Sequence, residues 1–95
     1  MDVVVTYDIR TTDAAGERRL TRVAAVCERY GWRVQYSVFE CRLDDLLLQQ
    51  LVNELHDEID HRVDSVNIYR LGSSFERSRE SLGARNQDWE SPWVL

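Results

Sequence analysis

Residues 32–43 read WRVQYSVFECRL, and the phase of alternation within this stretch decides the fold. Val34, Tyr36 and Val38 alternate with polar neighbours, as a half-buried strand does. From Phe39 onward the apolar positions are Phe39, Cys41 and Leu43, one residue out of step with the first set. A slip of one residue would turn the core face of an unbroken strand to solvent. The stretch therefore predicts a break, bulge or tight turn near Ser37–Val38, giving two strands or one sharply kinked strand.

Upstream, Gly31 is a natural stop for a helix over residues 14–30, with Asp13 as its N-cap. Leu20, Val23, Ala24, Cys27 and Tyr30 recur at three- and four-residue steps and form its expected apolar stripe. Before the helix, residues 2–8 open with Val3, Val4 and Val5, β-branched residues suited to a buried strand. Downstream, Asp44 can cap a second helix over about 45–60, whose apolar face is Leu48, Leu51, Val52, Leu55 and Ile59. A last strand, SVNIYRL over 65–71, alternates Val66 and Ile68 with Asn67 and Tyr69 and ends before Gly72. Residues 73–88 read as a polar loop or short helix, and 89–95, WESPWVL, carry two tryptophans.

The element order is β-α-β-β-α-β, an α+β, ferredoxin-like arrangement over residues 1–72 with a tail over 73–95. Both helices pack on one face of a four-stranded antiparallel sheet in such a fold. The other face has no helix in this reading, so a second copy of the chain, making a homodimer, is its expected cover. At 95 residues the chain is a single domain with a modest core. No apolar run approaches the ~18 residues of a membrane span, and no signal segment opens the sequence. A cytoplasmic protein is expected, and Cys27 and Cys41, with no CxxC spacing, read as reduced core thiols.

A net charge of −5 argues against coating nucleic acid by bulk charge. Residues 10–33 nevertheless hold six arginines against three acids, whereas residues 40–60 hold seven acids against Arg42 alone. This distribution predicts one basic and one acidic surface, and leaves nucleic acid open as a local partner. All twelve basic residues are arginine. Arginine forks suit phosphate, and a codon bias would give the same usage.

Asp8 is the first candidate for chemistry, because a strand so apolar runs into a carboxylate that is costly to bury unpaired. It is either a turn or capping residue, or a metal ligand held at a rigid strand end. One carboxylate makes a poor complete site, but Mg2+ takes only one or two and fills its octahedron with water and phosphate oxygens. In ERRLTR, residues 17–22, Arg18 and Arg19 point about 100° apart and need not share a target. His56 and His61 in HDEIDH lie about 140° apart on a continuous helix and are expected to diverge. Ser37 and Cys41 lack an evident histidine base for nucleophilic catalysis.

Residues 7–41, YDIRTTDAAGERRLTRVAAVCERYGWRVQYSVFEC, resemble the opening half of CRISPR-associated protein two, the small partner of the CRISPR integrase in spacer acquisition. The motifs are Tyr7–Asp8 at a strand end, Arg18–Arg19 opening a helix, Gly31, and the run Arg33 to Glu40. IYRLG at 68–72 and the tail look like the subtype I-C branch. The resemblance implies a homodimer with sheets face to face and a C-terminal segment, here SPWVL, adding a strand to the other subunit. It implies a Mg2+-dependent endonuclease acting on single-stranded RNA or double-stranded DNA, with the metal held by Asp8 and Asp8 of a second copy. Tyr7, Arg18, Arg19, Arg33 and Phe39 match positions associated with activity or nucleic-acid contact. It also implies an alternative in which the dimer is a non-catalytic adaptor, bridging integrase dimers and holding the spacer duplex.

Overall fold

A computed structural model describes residues 1–83 of the chain. Its elements are β1 (Asp2–Asp8), α1 (Ala14–Tyr30), β2 (Gly31–Gln35), β3 (Val38–Arg42), α2 (Asp45–Glu58), β4 (Ser65–Arg70) and α3 (Phe75–Ser78). The sheet runs β2-β3-β1-β4 with every neighbouring pair antiparallel, so β3 lies between β1 and β2. This is the ferredoxin-like topology expected from the element order. The break in WRVQYSVFECRL consists of two devices. The pairing register shifts between Arg33 and Gln35, and Tyr36–Ser37 make the turn into β3. Together they restore the apolar phase, and Phe39 and Cys41 are both fully buried.

Both long helices start at the expected caps. The Asp13 carboxylate accepts from the Gly16 amide at 2.8 Å, and the Asp44 carboxylate from the Leu47 amide at 2.8 Å. The buried arc of α1 differs from the expected stripe. Gly16, Val23, Val26 and Cys27 are buried, whereas Leu20 is 36% exposed. At ~100° per residue the arc is centred between Val23 and Val26, with Leu20 and Ala24 on its far flank. Gly16 makes the first close approach of the helix: a Cβ there would stand 1.9 Å from the Arg10 carbonyl oxygen.

Strand alternation sorts the core. Val3, Val5 and Tyr7 of β1 pair with Cys41, Phe39, Ile68 and Val66, and together with Val23, Val26, Cys27, Leu48, Leu51 and Leu55 they form one cluster under the helices. Burial pushes the thiols up, Cys27 to about 12 and Cys41 to about 11, and both are free cysteines, inert as core groups. The opposite sheet face is not wholly bare, contrary to the sequence reading. Residues 74–79 fold back onto it, with Phe75 only 2% exposed and its ring edge-on to Trp32 at 5.8 Å. The Asp2 carboxylate accepts from the Phe75 amide at 2.7 Å and from Arg42 Nε at 3.0 Å, while Arg42 also reaches Glu76 at 2.7 Å and Arg79 pairs with Glu40. The apolar ring and this ion-pair set hold the start of the tail against its own sheet. The expected strand from SPWVL lies outside the described residues. Among the described residues no helix is long and apolar enough to cross a membrane.

Gly16→Ala tests the close approach of α1. A helical Ala gains up to ~1 kcal/mol over Gly, but the neighbour is backbone and cannot swing aside. Overpacking of ~1–3 kcal/mol wins, and Tm falls by at least ~4 °C in a thermal melt. Gly72→Ala, with nothing within 4 Å of the added carbon, leaves Tm nearly unchanged.

Candidate functional site

β1 loses one neighbour before the other. Its ladder with β3 ends at Thr6–Val38, whereas that with β4 continues to Asp8–Ser65. Asp8 therefore stands at the sheet end, on the same face as Val4 and Thr6 and opposite the helices. It is exposed, and among the described residues no hydrogen bond or ion pair engages its carboxylate. The strand thus avoids the cost of burying the charge by turning it outward at its last residue.

Tyr7 takes the other face, since successive strand side chains alternate. It is buried, its hydroxyl donates to the Tyr36 carbonyl at 3.2 Å, and its ring stacks on Phe39 with centroids 6.2 Å apart. Burial raises the Tyr7 pKa, against the opposing pull of Arg33. The Arg33 guanidinium lies over Phe39 at 5.1 Å, with Glu28 at 3.8 Å and its Nε buried without a partner. Tyr7 and Phe39, which the resemblance ties to activity or nucleic-acid contact, are both core residues in this chain: Phe39 is opposite Val5 in the ladder and shares its fully buried face.

The two arginines of ERRLTR part company as their spacing requires. Arg18 is exposed beside Ala14, Glu17, Thr21 and Arg22. Arg19 turns inward to the buried Asp64, Nε to Oδ2 at 2.8 Å and Nη2 to Oδ1 at 3.4 Å, so its guanidinium is engaged in an ion pair within the chain. The expected separation into basic and acidic surfaces also fails. Arg22 bonds Glu58 at 2.8 Å, and Arg29 and Tyr30 both bond Glu54, so α1 and α2 are zipped along their outer edge. From the arginines of residues 10–33, Arg10 and Arg18 are left without an ion pair among the described residues.

The histidines do not diverge. α2 ends at Glu58, the chain turns, and the His56 and His61 rings come within 4.3 Å, with His61 Nε2 against the His56 carbonyl at 2.8 Å. Among the described residues no group of three or more His, Cys, Asp or Glu could hold a metal ion. At the end of β1 the described residues of one copy therefore offer the lone free carboxylate of Asp8.

Asp64 escaped the sequence reading. Its side chain is 0% exposed, and it accepts from the Arg10 amide at 3.0 Å, the Asp60 amide at 2.8 Å and Arg19. An acid just before a strand was the only local signal. Its two long-range partners lie 45 and 54 residues away in sequence, beyond the reach of any periodicity.

Three comparisons bear on this geometry. The family model described as CRISPR associated protein Cas2 matches residues 1–78. A protein of Halalkalibacterium halodurans named CRISPR-associated endonuclease Cas2 is 44% identical over 96 residues, covering the whole of both chains. One of Chlorobaculum tepidum named CRISPR-associated endoribonuclease Cas2 is also 44% identical over the full length of both. The crystal structure of Streptococcus pyogenes Cas2 at pH 6.5 superposes with a TM-score of 0.78 at 43% identity, covering 87% of this chain and 100% of that one.

Burial alone would raise the Asp64 pKa, but Arg19 and the amides of Asp60 and Arg10 outweigh it and hold the carboxyl at about 2. Its unfolded-state value is near 4, so the stabilisation is complete above that pH. It is lost as pH falls toward 2. Asp64→Asn removes it, lowering stability at neutral pH by about 2 kcal/mol and flattening that part of the acid-unfolding curve. Urea unfolding at a series of pH values checks both.

Proposed function

The chain belongs to the Cas2 family of CRISPR-associated proteins, and from that premise we propose that it is a metal-dependent nuclease of CRISPR adaptation whose site is completed by a second copy. One observation carries this reading: the Asp8 carboxylate at the end of β1 is exposed and, among the described residues, unengaged, on the sheet face away from the helices. That face presents Val4, Thr6, Val38 and Tyr69 beyond the part covered by Phe75, and Tyr69 is 53% exposed. Two copies meeting there would bury this surface and supply two Asp8 carboxylates.

The donor fits a hard cation. Asp8 is a carboxylate with free lone pairs, which suits Mg2+, and both thiols are locked in the core, away from any soft-metal role. When bound, Mg2+ supplies a more acidic water and neutralises charge on a phosphate. The chain's own residues then divide the work. Asp8 and Asp8 of a second copy hold the ion, and Arg18, exposed near the start of α1, holds a backbone phosphate of RNA or DNA. Tyr7, Phe39 and Arg33 stiffen the strand pair behind Asp8 from the core side. Buried thiols suit the reducing cytoplasm.

A second reading has its own support. The site is sparse, with one carboxylate per chain and no histidine bonded to it among the described residues. This favours the dimer as a structural adaptor that bridges integrase dimers and holds a duplex. Both readings are tested together. Asp8→Ala should lower Mg2+-dependent cleavage of single-stranded RNA or duplex DNA by about two orders of magnitude or more, with stability changed by less than ~0.5 kcal/mol. Cleavage equal to wild type in cleanly purified protein would sink the nuclease reading. Arg18→Glu should impair integration with the integrase, and Asp8→Ala should spare it.

A further inference from the structure

We infer that Asp64 and Arg19 form a positioning clamp that sets the direction of the Asp8 carboxylate. This rests on the proposal that Asp8 holds the metal. Asp8 lies past the end of the β3 ladder, so β4 alone pairs with it, through Ser65. On its N-terminal side the Tyr7 amide donates to the Ser37 carbonyl at 3.1 Å, and past Asp8 the backbone is fixed by the residues that follow. Ile9 is buried, and both polar groups of the Arg10 peptide are held: its amide donates to Asp64 Oδ1 at 3.0 Å, and its carbonyl accepts from Arg19 Nη2 at 3.4 Å.

The clamp joins three separate parts of the chain. Asp64 is adjacent to Ser65, the register partner of Asp8, and its Oδ2 also holds the Asp60 amide at 2.8 Å. Arg19 rises from α1. Gly16, one turn earlier, lets that helix lie against the Arg10 carbonyl. The α2–β4 connection, the start of α1 and the exit of β1 therefore converge on the Asp64 carboxylate, which grips the chain at Arg10, two residues past Asp8.

The residue types are specific to this task. A planar guanidinium bonds Asp64 through Nε and Nη2 while Nη2 still reaches Arg10. A lysine offers one ammonium and cannot span these positions. Every contact to Asp64 comes from an N–H donor, so an asparagine amide would oppose one of them. Arg19 is thus a positioning residue that acts through backbone, and its neighbour Arg18 is the phosphate ligand. A metal ligand must be held to within about 0.5 Å of its working geometry; partners bonded directly to a ligand carry about 10–100-fold in activity or metal affinity, and a clamp acting through backbone two residues away is expected at the low end of that range.

The test compares Asp64→Asn, Arg19→Lys, Arg18→Gln and Asp8→Ala in the full-length dimer, reading kcat, KM and the salt dependence of RNA binding. Folding is checked by circular dichroism. Asp64→Asn and Arg19→Lys should each lower kcat by about 10-fold or more, leaving KM and the salt slope unchanged. Arg18→Gln should instead raise KM and reduce the slope by about one phosphate contact. If Asp64→Asn does not fold, Arg19→Lys decides. Wild-type kcat in a folded clamp variant, or a KM and salt response in Arg19→Lys matching that of Arg18→Gln, overturns the inference. If Asp8→Ala cleaves normally, the metal reading has failed instead. The clamp is then judged by NMR: the Asp8 carboxyl resonance should shift in Arg19→Lys, and an unmoved resonance overturns it.

Discussion

The alternation of side chains along β1 is the constraint on which the rest of the structure depends. β1 is hydrogen-bonded on both sides, to β3 and to β4, so its side chains have only two directions available. One direction takes Val3, Val5 and Tyr7 into the core, and the other takes Val4, Thr6 and Asp8 to the far face. The adjacent pair Tyr7–Asp8 is therefore divided between two jobs. The phenol braces the interior against Phe39, and the carboxylate faces outward at the end of the strand, past the β3 ladder. A residue added to or removed from β1 before Asp8 would bury the charge and expose the ring.

Charge is organised by the same economy of directions. Arg22 and Arg29 meet Glu58 and Glu54 across the α1–α2 seam, where half-exposed pairs contribute only ~0.2–1 kcal/mol each. Their larger consequence is that these arginines are occupied and present little free charge to a phosphate. Buried Asp64 differs in kind, because its carboxylate is shut off from water and every acceptor position counts. Asp2 plays a comparable part at the opposite end of β1, joining the Phe75 amide to Arg42. The central strand is thus pinned at both ends by acids whose partners come from distant parts of the chain.

Local rules made the elements legible. The phase slip in WRVQYSVFECRL required a break, and the bulge and turn at residues 33–37 supply it. Asp13 and Asp44 announced two helix starts, and the topology followed from element order. The same rules misplaced what depends on neighbours in space. Leu20 looks like core because it falls on a three-four repeat, but the buried arc of α1 is centred between Val23 and Val26 and leaves Leu20 on its flank. His56 and His61 looked divergent because the helix was extended past Glu58, where the chain in fact turns. Phe75 sat in a polar segment, and its burial depends on Trp32, Arg42 and Asp2.

The sequence by itself determined the ferredoxin-like order of elements, the family, and the position of Asp8 at a strand end. These rest on periodicity, capping and contiguous motifs, which act over a few residues. Only the tertiary structure decided which arginine is free and which is spent. Arg18 and Arg19 are chemically identical and adjacent, and a turn of about 100° between them gives one to solvent and the other to Asp64, 45 residues away. No pattern in the chain distinguishes them, because the distinction is made by a carboxylate that only folding brings near.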